Sequence, residues 1–143
     1  MPIRVLPMAA LALALGGCAT ASDDAASDAG LLRMLAGQSA VQGDGLARAV
    51  AAADRHPLGS MENPVRVEMP VGERAYLARL RCLDGTAPRY ERQGSGGDSP
   101  YGNIIDYYAL DCPGGATTQV IMDMYHPGHV EDRAVPGFTI VPR

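Results

Sequence analysis

The chain contains no lysine and no tryptophan, one phenylalanine and three cysteines among its 143 residues. All 12 of its basic residues are arginine, while glycine and proline are frequent. That bias reflects coding composition and carries no functional signal. Positive charge is also outweighed, with 16 acidic residues and a formal net charge of -4. Nucleic-acid partners call for clustered positive charge that displaces counterions, so the composition argues against one. Long apolar runs are missing as well. The longest, Val5 to Leu15, rises only about 16 Å as a helix, against a bilayer core of roughly 30 Å, so it is too short for an ordinary spanning helix. No internal repeat is visible, and the length suits a single domain.

The N-terminus carries Arg4, then the apolar run, then Leu15-Gly16-Gly17-Cys18. Positive, apolar and small residues in that order make an export signal. The last four residues resemble the lipobox of bacterial lipoproteins, where a Leu, two small residues and a Cys are read by a lipid transferase and a dedicated signal peptidase. The resemblance implies that residues 1–17 are a signal peptide and that the Cys18 thiol carries a diacylglyceryl thioether. Its freed amine would carry a further acyl chain such as palmitate. A single acyl chain holds a protein only marginally, with a partition constant of about 10⁴ M⁻¹, whereas several chains on one residue make a lasting anchor. An ordinary secretory signal cut near Ala21 would instead leave a soluble periplasmic protein. Ala19, in place of Asp after the Cys, favours the outer membrane by the same resemblance, with the domain facing the periplasm.

Residues 19–30 are small, polar and acidic, and together with Cys18 they are expected to form a flexible tether over 18–30. A short helical segment is expected over 31–57. It holds one helix from Leu31 to Ala36, stopped by Gly37, and another from Leu46 to Arg55, capped by Asp44 and closed before Pro57. From 58 to 143 the pattern becomes β-like. Strands are expected at Val65–Met69, Ala75–Cys82, Ile104–Cys112, Thr117–Tyr125 and Phe138–Val141, with a short one at Arg89–Arg92. Gly72-Glu73 and Pro113-Gly114-Gly115 read as turns, and Gly94-Ser95-Gly96-Gly97 as a loop. The fold class is α+β: a small antiparallel sheet with one or two N-terminal helices and one disulfide.

If lipid takes Cys18, Cys82 and Cys112 remain in a compartment that permits disulfides. Strand alternation places Cys82 with Tyr76 and Leu80, and Cys112 with Tyr108 and Leu110, on inward faces. A bridge across a loop of about thirty residues stabilises by roughly 3–4 kcal/mol in the chain-entropy model. No Cys-x-x-Cys is present to suggest a redox pair.

The densest polar stretch runs from Asp123 to Asp132. A turn at Pro127-Gly128 can bring His126 and His129 to one side, and Asp123, Glu131 or Asp132 could complete a divalent-metal site with mixed N and O ligands. The plainer reading is a polar loop leaving a strand, with no cofactor. Arg79 and Arg81 would share a strand face opposite Cys82, suited to an anionic ligand or to ion pairs with Asp106 and Asp111. Tyr101, Tyr107 and Tyr108 could present an aromatic platform, although alternation sends the last two to opposite faces. His56, His126 and His129 with Ser60, Ser95 and Ser99 offer nucleophile chemistry its residue types, but no Gly-x-Ser-x-Gly elbow accompanies them.

The stretch from Leu58 to Val141 resembles small envelope proteins of proteobacteria. The likeness rests on Gly59-Ser60-Met61-Glu62-Asn63-Pro64-Val65-Arg66-Val67, Tyr76-Leu77-Ala78-Arg79-Leu80-Arg81-Cys82, Pro100-Tyr101-Gly102-Asn103-Ile104-Ile105-Asp106 and Asp123-Met124-Tyr125-His126-Pro127. It implies one domain and carries over no catalytic residue. The sequence therefore leads to a membrane-anchored accessory domain, more binding or structural than enzymatic, with an envelope protein or the cell wall as partner. The alternative is a metal-binding or metal-dependent periplasmic domain built on the His126 and His129 loop.

Overall fold

In the computed structural model, which describes residues 22–143, a four-stranded sheet is combined with three helices. The elements are α1 (Ser22–Leu35), α2 (Gly43–Ala53), β1 (Val65–Arg66), α3 (Met69–Arg79), β2 (Leu80–Arg81), β3 (Arg89–Asp98), β4 (Ile104–Asp111), β5 (Thr118–Asp123) and β6 (Thr139–Ile140). The class is α+β. The sheet is mixed rather than purely antiparallel: its order is β1-β5-β4-β3, with β4 antiparallel to both neighbours and the two-residue β1 parallel to β5. A second, two-stranded sheet pairs β2 with β6.

The core lies on one face of the sheet. Alternation along β4 and β5 sends Tyr108, Leu110, Val120 and Met122 to this face, where they meet Tyr76, Leu77 and Leu80 of α3 and its exit. Val135, from the loop before β6, closes the cluster, and Gly59 supplies a close approach beneath it. The opposite face holds Ile105, Ile121 and the polar side chains of Asn103 and Asp123, all buried.

Four expectations are corrected. Ala75–Cys82 is not one strand, because the chain remains helical to Arg79 and only Leu80–Arg81 pair as β2. Glu73, Tyr76, Leu77 and Leu80 are all buried at helical spacing, but the first is an acid, and this disguises the apolar stripe. Gly72-Glu73 therefore lies inside α3 and is not a turn; a Cβ at Gly72 would come within 3.2 Å of Val67 Cβ. The expected tether is helical from Ser22 onward, since α1 extends the Leu31–Ala36 helix backward through alanine-rich chain before stopping at Gly37, whose φ is 71°. Gly94-Ser95-Gly96-Gly97 belongs to β3, which runs ten residues instead of the expected four. Its glycines absorb two register irregularities, between Arg92 and Gly94 and between Ser95 and Asp98. Those bulges fall on an edge strand, where they blunt further pairing.

Helix α2 begins at Gly43, with Gln42 rather than Asp44 at its N-cap; Asp44 lies in the first turn. The disulfide forms as expected between Cys82 and Cys112, with a Cα–Cα distance of 5.8 Å. It ties the chain just after β2 to the chain just after β4, so the small sheet is fastened to the large one. Residues 1–17 and Cys18 lie outside the described residues, as does Ala19. Among the described residues no helix is long and apolar enough to cross a membrane.

Candidate functional site

Asp123 ends β5 with its side chain fully buried on the face opposite the α3 core. Its carboxylate accepts both contacts of the Asn103 amide, at 3.1 and 2.9 Å, and the backbone N–H of Tyr125 at 3.0 Å. Asn103 is itself fixed: its Oδ1 accepts the Ala40 N–H at 2.7 Å, and its backbone N–H donates to Ser99 Oγ at 3.3 Å. Burial pushes the Asp123 carboxyl up, but the His126 imidazole beside it, the Ser99 hydroxyl and the Tyr125 N–H together hold it below the ordinary aspartate value. A buried charge so surrounded is stabilised where it stands.

His126 follows as the chain leaves β5, its backbone N–H bonded to Val67 O at 3.1 Å. The ring stacks edge-on to Tyr101, with centroids 4.9 Å apart. Its Nε2 lies 3.4 Å from Asp123 Oδ2, within ion-pair range but without a hydrogen bond. Gly128, with φ 71°, makes the expected turn, closed by the His129 N–H on His126 O at 3.0 Å. The two imidazoles do share a side, with ring centroids 6.5 Å apart.

The acids of this loop nevertheless divide between different partners. His129 Nε2 sits 3.9 Å from Glu131 Oε2, while Glu131 is clamped by Arg133. Its Oε1 accepts the backbone N–H groups of Asp132 and Arg133 at 3.1 and 3.0 Å. Although burial acts to raise the Glu131 carboxyl, His129 and Arg133 hold it far below the usual carboxylate range. Arg133 continues to Asp54 at 3.1 Å, tying the loop to the end of α2. Asp132 points away, paired with Arg79 and Arg143. Among the described residues no group of three or more His, Cys, Asp or Glu side chains is arranged to hold a metal ion. Three buried polar atoms in this region lack a hydrogen-bond partner: Tyr101 Oη, His126 Nε2 and His129 Nε2.

The other sequence candidates fall elsewhere. Arg79 ends α3 and is consumed by Val141 O, Glu131 O and Asp132, while Arg81 caps Ala78 O and Leu80 O. The expected pairs with Asp106 and Asp111 do not form, because Arg79 lies on a helix and Arg81 on a strand that pairs with β6 rather than with β4. Asp106 binds Arg92 instead, and Asp111 accepts the Thr117 hydroxyl. Tyr101 and Tyr108 are buried in separate places and Tyr107 is half-buried, so no aromatic platform assembles. Ser99 serves as a backbone acceptor for Tyr101 and Asn103. It also borders an open cleft of about 450 Å³ lined by His56, Glu62, Asp98 and Pro100. Sequence reasoning missed Asn103, whose two-sided hydrogen bonding has no local signature, and Glu73, discussed below.

Comparison with known protein families, curated proteins and solved structures finds no match to the chain.

Proposed function

We propose that the chain is an exported lipoprotein held in the cell envelope by acylation of Cys18, presenting its α+β domain to another envelope component. The observation that carries this reading is the Cys82–Cys112 disulfide. Disulfides persist in oxidising compartments outside the cytosol, and this one uses the two cysteines left when lipid takes the third. An accessory role, binding or structural, suits a domain in which three buried acids are held by side chains of its own fold: Asp106 by Arg92, Glu131 by Arg133, and Asp123 by Asn103. The outer membrane, with the domain in the periplasm and an envelope protein or the cell wall as partner, completes the proposal. Fractionation tests it. Expressed with its own N-terminus in a lipoprotein-processing bacterium, the chain is expected in the membrane fraction, and Cys18→Ser in the soluble periplasmic fraction. Equal distribution of the two would contradict the anchor.

A second reading is favoured by one specific observation: the Nε2 atoms of His126 and His129 are buried beside carboxylates without a hydrogen bond. A divalent cation taken up by both imidazoles and Asp123 would give those nitrogens a partner, after the rings turn toward a common point. Titrating zinc into the metal-free chain tests it. This reading expects stoichiometric binding that is lost in the His126→Ala, His129→Ala double variant; no binding by the parent chain removes it.

A further inference from the structure

On the other face of the sheet, α3 is fastened by a group that the functional reading does not use. Glu73 sits one turn before Tyr76 and Leu77 on the buried side of α3, only 1% exposed. Its Oε2 accepts the Tyr108 hydroxyl at 3.0 Å, while its Oε1 is buried without any hydrogen-bond partner. Two residues from Tyr108 along β4, and therefore on the same face, Asp106 is 4% exposed. Asp106 takes the whole fork of Arg92, with Nε at 3.0 Å and Nη2 at 2.7 Å. Two buried acids thus share one guanidinium, and its hydrogen bonds here go to Asp106. The remaining titratable neighbours are phenols, Tyr108 on β4 and Tyr125 just after β5, and both are pushed up first by burial and then by the acids around them.

We propose that Glu73, Tyr108, Asp106 and Arg92 form a proton-operated latch between α3 and the sheet, closed while the Glu73 carboxyl holds its proton and loosened when that proton leaves. With a proton on Oε1 the orphaned oxygen becomes a donor, the Asp106 carboxylate is its natural acceptor, and the pocket carries one anion against one cation. Without it, two carboxylates face each other in a dry site, with no second cation among the groups named. Burial first, and the Asp106 charge second, push the Glu73 carboxyl up to about 7. An acid whose folded value is raised contributes its full stability at low pH. That contribution is lost as pH climbs from the ordinary glutamate value through the folded one.

The start of α3 is held by backbone contacts, such as the Met69 N–H on Met124 O at 2.7 Å, rather than by a capping side chain. Met69, a non-glycine residue, opens α3 at φ 54°, and the N-cap Glu68 makes no side-chain capping bond. Met69 and Val71 in that first turn are exposed, which leaves Glu73 as the first buried anchor of the helix. The proposal does not rest on the lipid or the metal reading, because its four residues are not among those that either reading invokes.

Hydrogen exchange on the full chain between pH 5.5 and 8.5, corrected for intrinsic amide chemistry, tests the latch. Linkage between a glutamate near 4.5 when released and near 7 when docked predicts that α3 protection falls roughly thirtyfold across that range. Glu73→Gln keeps the shape and the Tyr108 hydrogen bond, so its α3 protection is expected to stay flat. An unchanged pH dependence in Glu73→Gln, or a flat profile in the parent chain, overturns the latch. If Glu73→Gln does not fold, the ¹³C titration of the Glu73 carboxyl in the parent chain decides: a midpoint well above ordinary glutamate supports it, and an ordinary midpoint sinks it.

Discussion

Reducing the Cys82–Cys112 bridge in the otherwise unaltered chain perturbs one term of its stability and leaves the packing residues in place. The bridge closes a separation of 30 residues, for which the chain-entropy model gives about 3.6 kcal/mol. That is a large part of the roughly 5–15 kcal/mol typical of a whole domain. With a urea dependence of about 1–3 kcal/mol per molar, the unfolding midpoint should fall by roughly 1.2–3.6 M on adding reductant. The chain has no tryptophan, so far-ultraviolet circular dichroism is the suitable probe. The oxidised and reduced forms should differ in midpoint and not in native-state signal, because the buried Cys82 side chain still fills its place. A midpoint shift of only a few tenths molar would refute the reasoning. It would mean that residual structure keeps the reduced, unfolded chain about as constrained as the bridge does.

Leu77 is 1% exposed at the centre of the α3 contact, and Leu77→Ala should cost about 2–5 kcal/mol in urea unfolding. Gly59 has φ 86°, and a Cβ there would stand 2.8 Å from Val135 Cγ1, so Gly59→Ala should destabilise by about 1–3 kcal/mol while leaving the sheet's far edge at β3 unchanged by exchange. Glu131 is held far below the usual carboxylate value, so its contribution is present above the unfolded carboxylate range and is lost as pH falls toward its folded value. Acid unfolding followed by circular dichroism should therefore begin at higher pH in Arg133→Ala, which removes the clamp, than in the parent chain.

Much of the β region was legible because its physics is local. The β4 and β5 alternation, the turn at Pro113-Gly114-Gly115 and the inward Cys112 follow from period-two patterning, and all are present. The helix α3 was hidden for a reason equally physical. Tyr76, Ala78, Leu80 and Cys82 satisfy a strand period, and the residue that completes the helical stripe is the buried acid Glu73. No hydropathy pattern assigns an acid to a core unless its proton and its neighbours are known, and those neighbours are brought together by sheet pairing far along the chain. The polar cluster was half legible. The Pro127-Gly128 turn does place His126 beside His129, but Asp123 is taken by Asn103, twenty residues away in sequence, and Glu131 by Arg133, two residues on. Arg79 was misplaced with the strand that became helix, and Arg81 kept its strand but with β6 as its neighbour.

Whether the chain is anchored as proposed rests on one atom, the Cys18 sulfur. Intact mass measurement of the mature chain, purified from a lipoprotein-processing host that expressed it with its own N-terminus, reads that atom directly. The account predicts a product beginning at Cys18, heavier than the bare polypeptide by a diacylglyceryl group and a further acyl chain. A product of unmodified mass with a free Cys18, or one cleaved beyond Cys18, would contradict it.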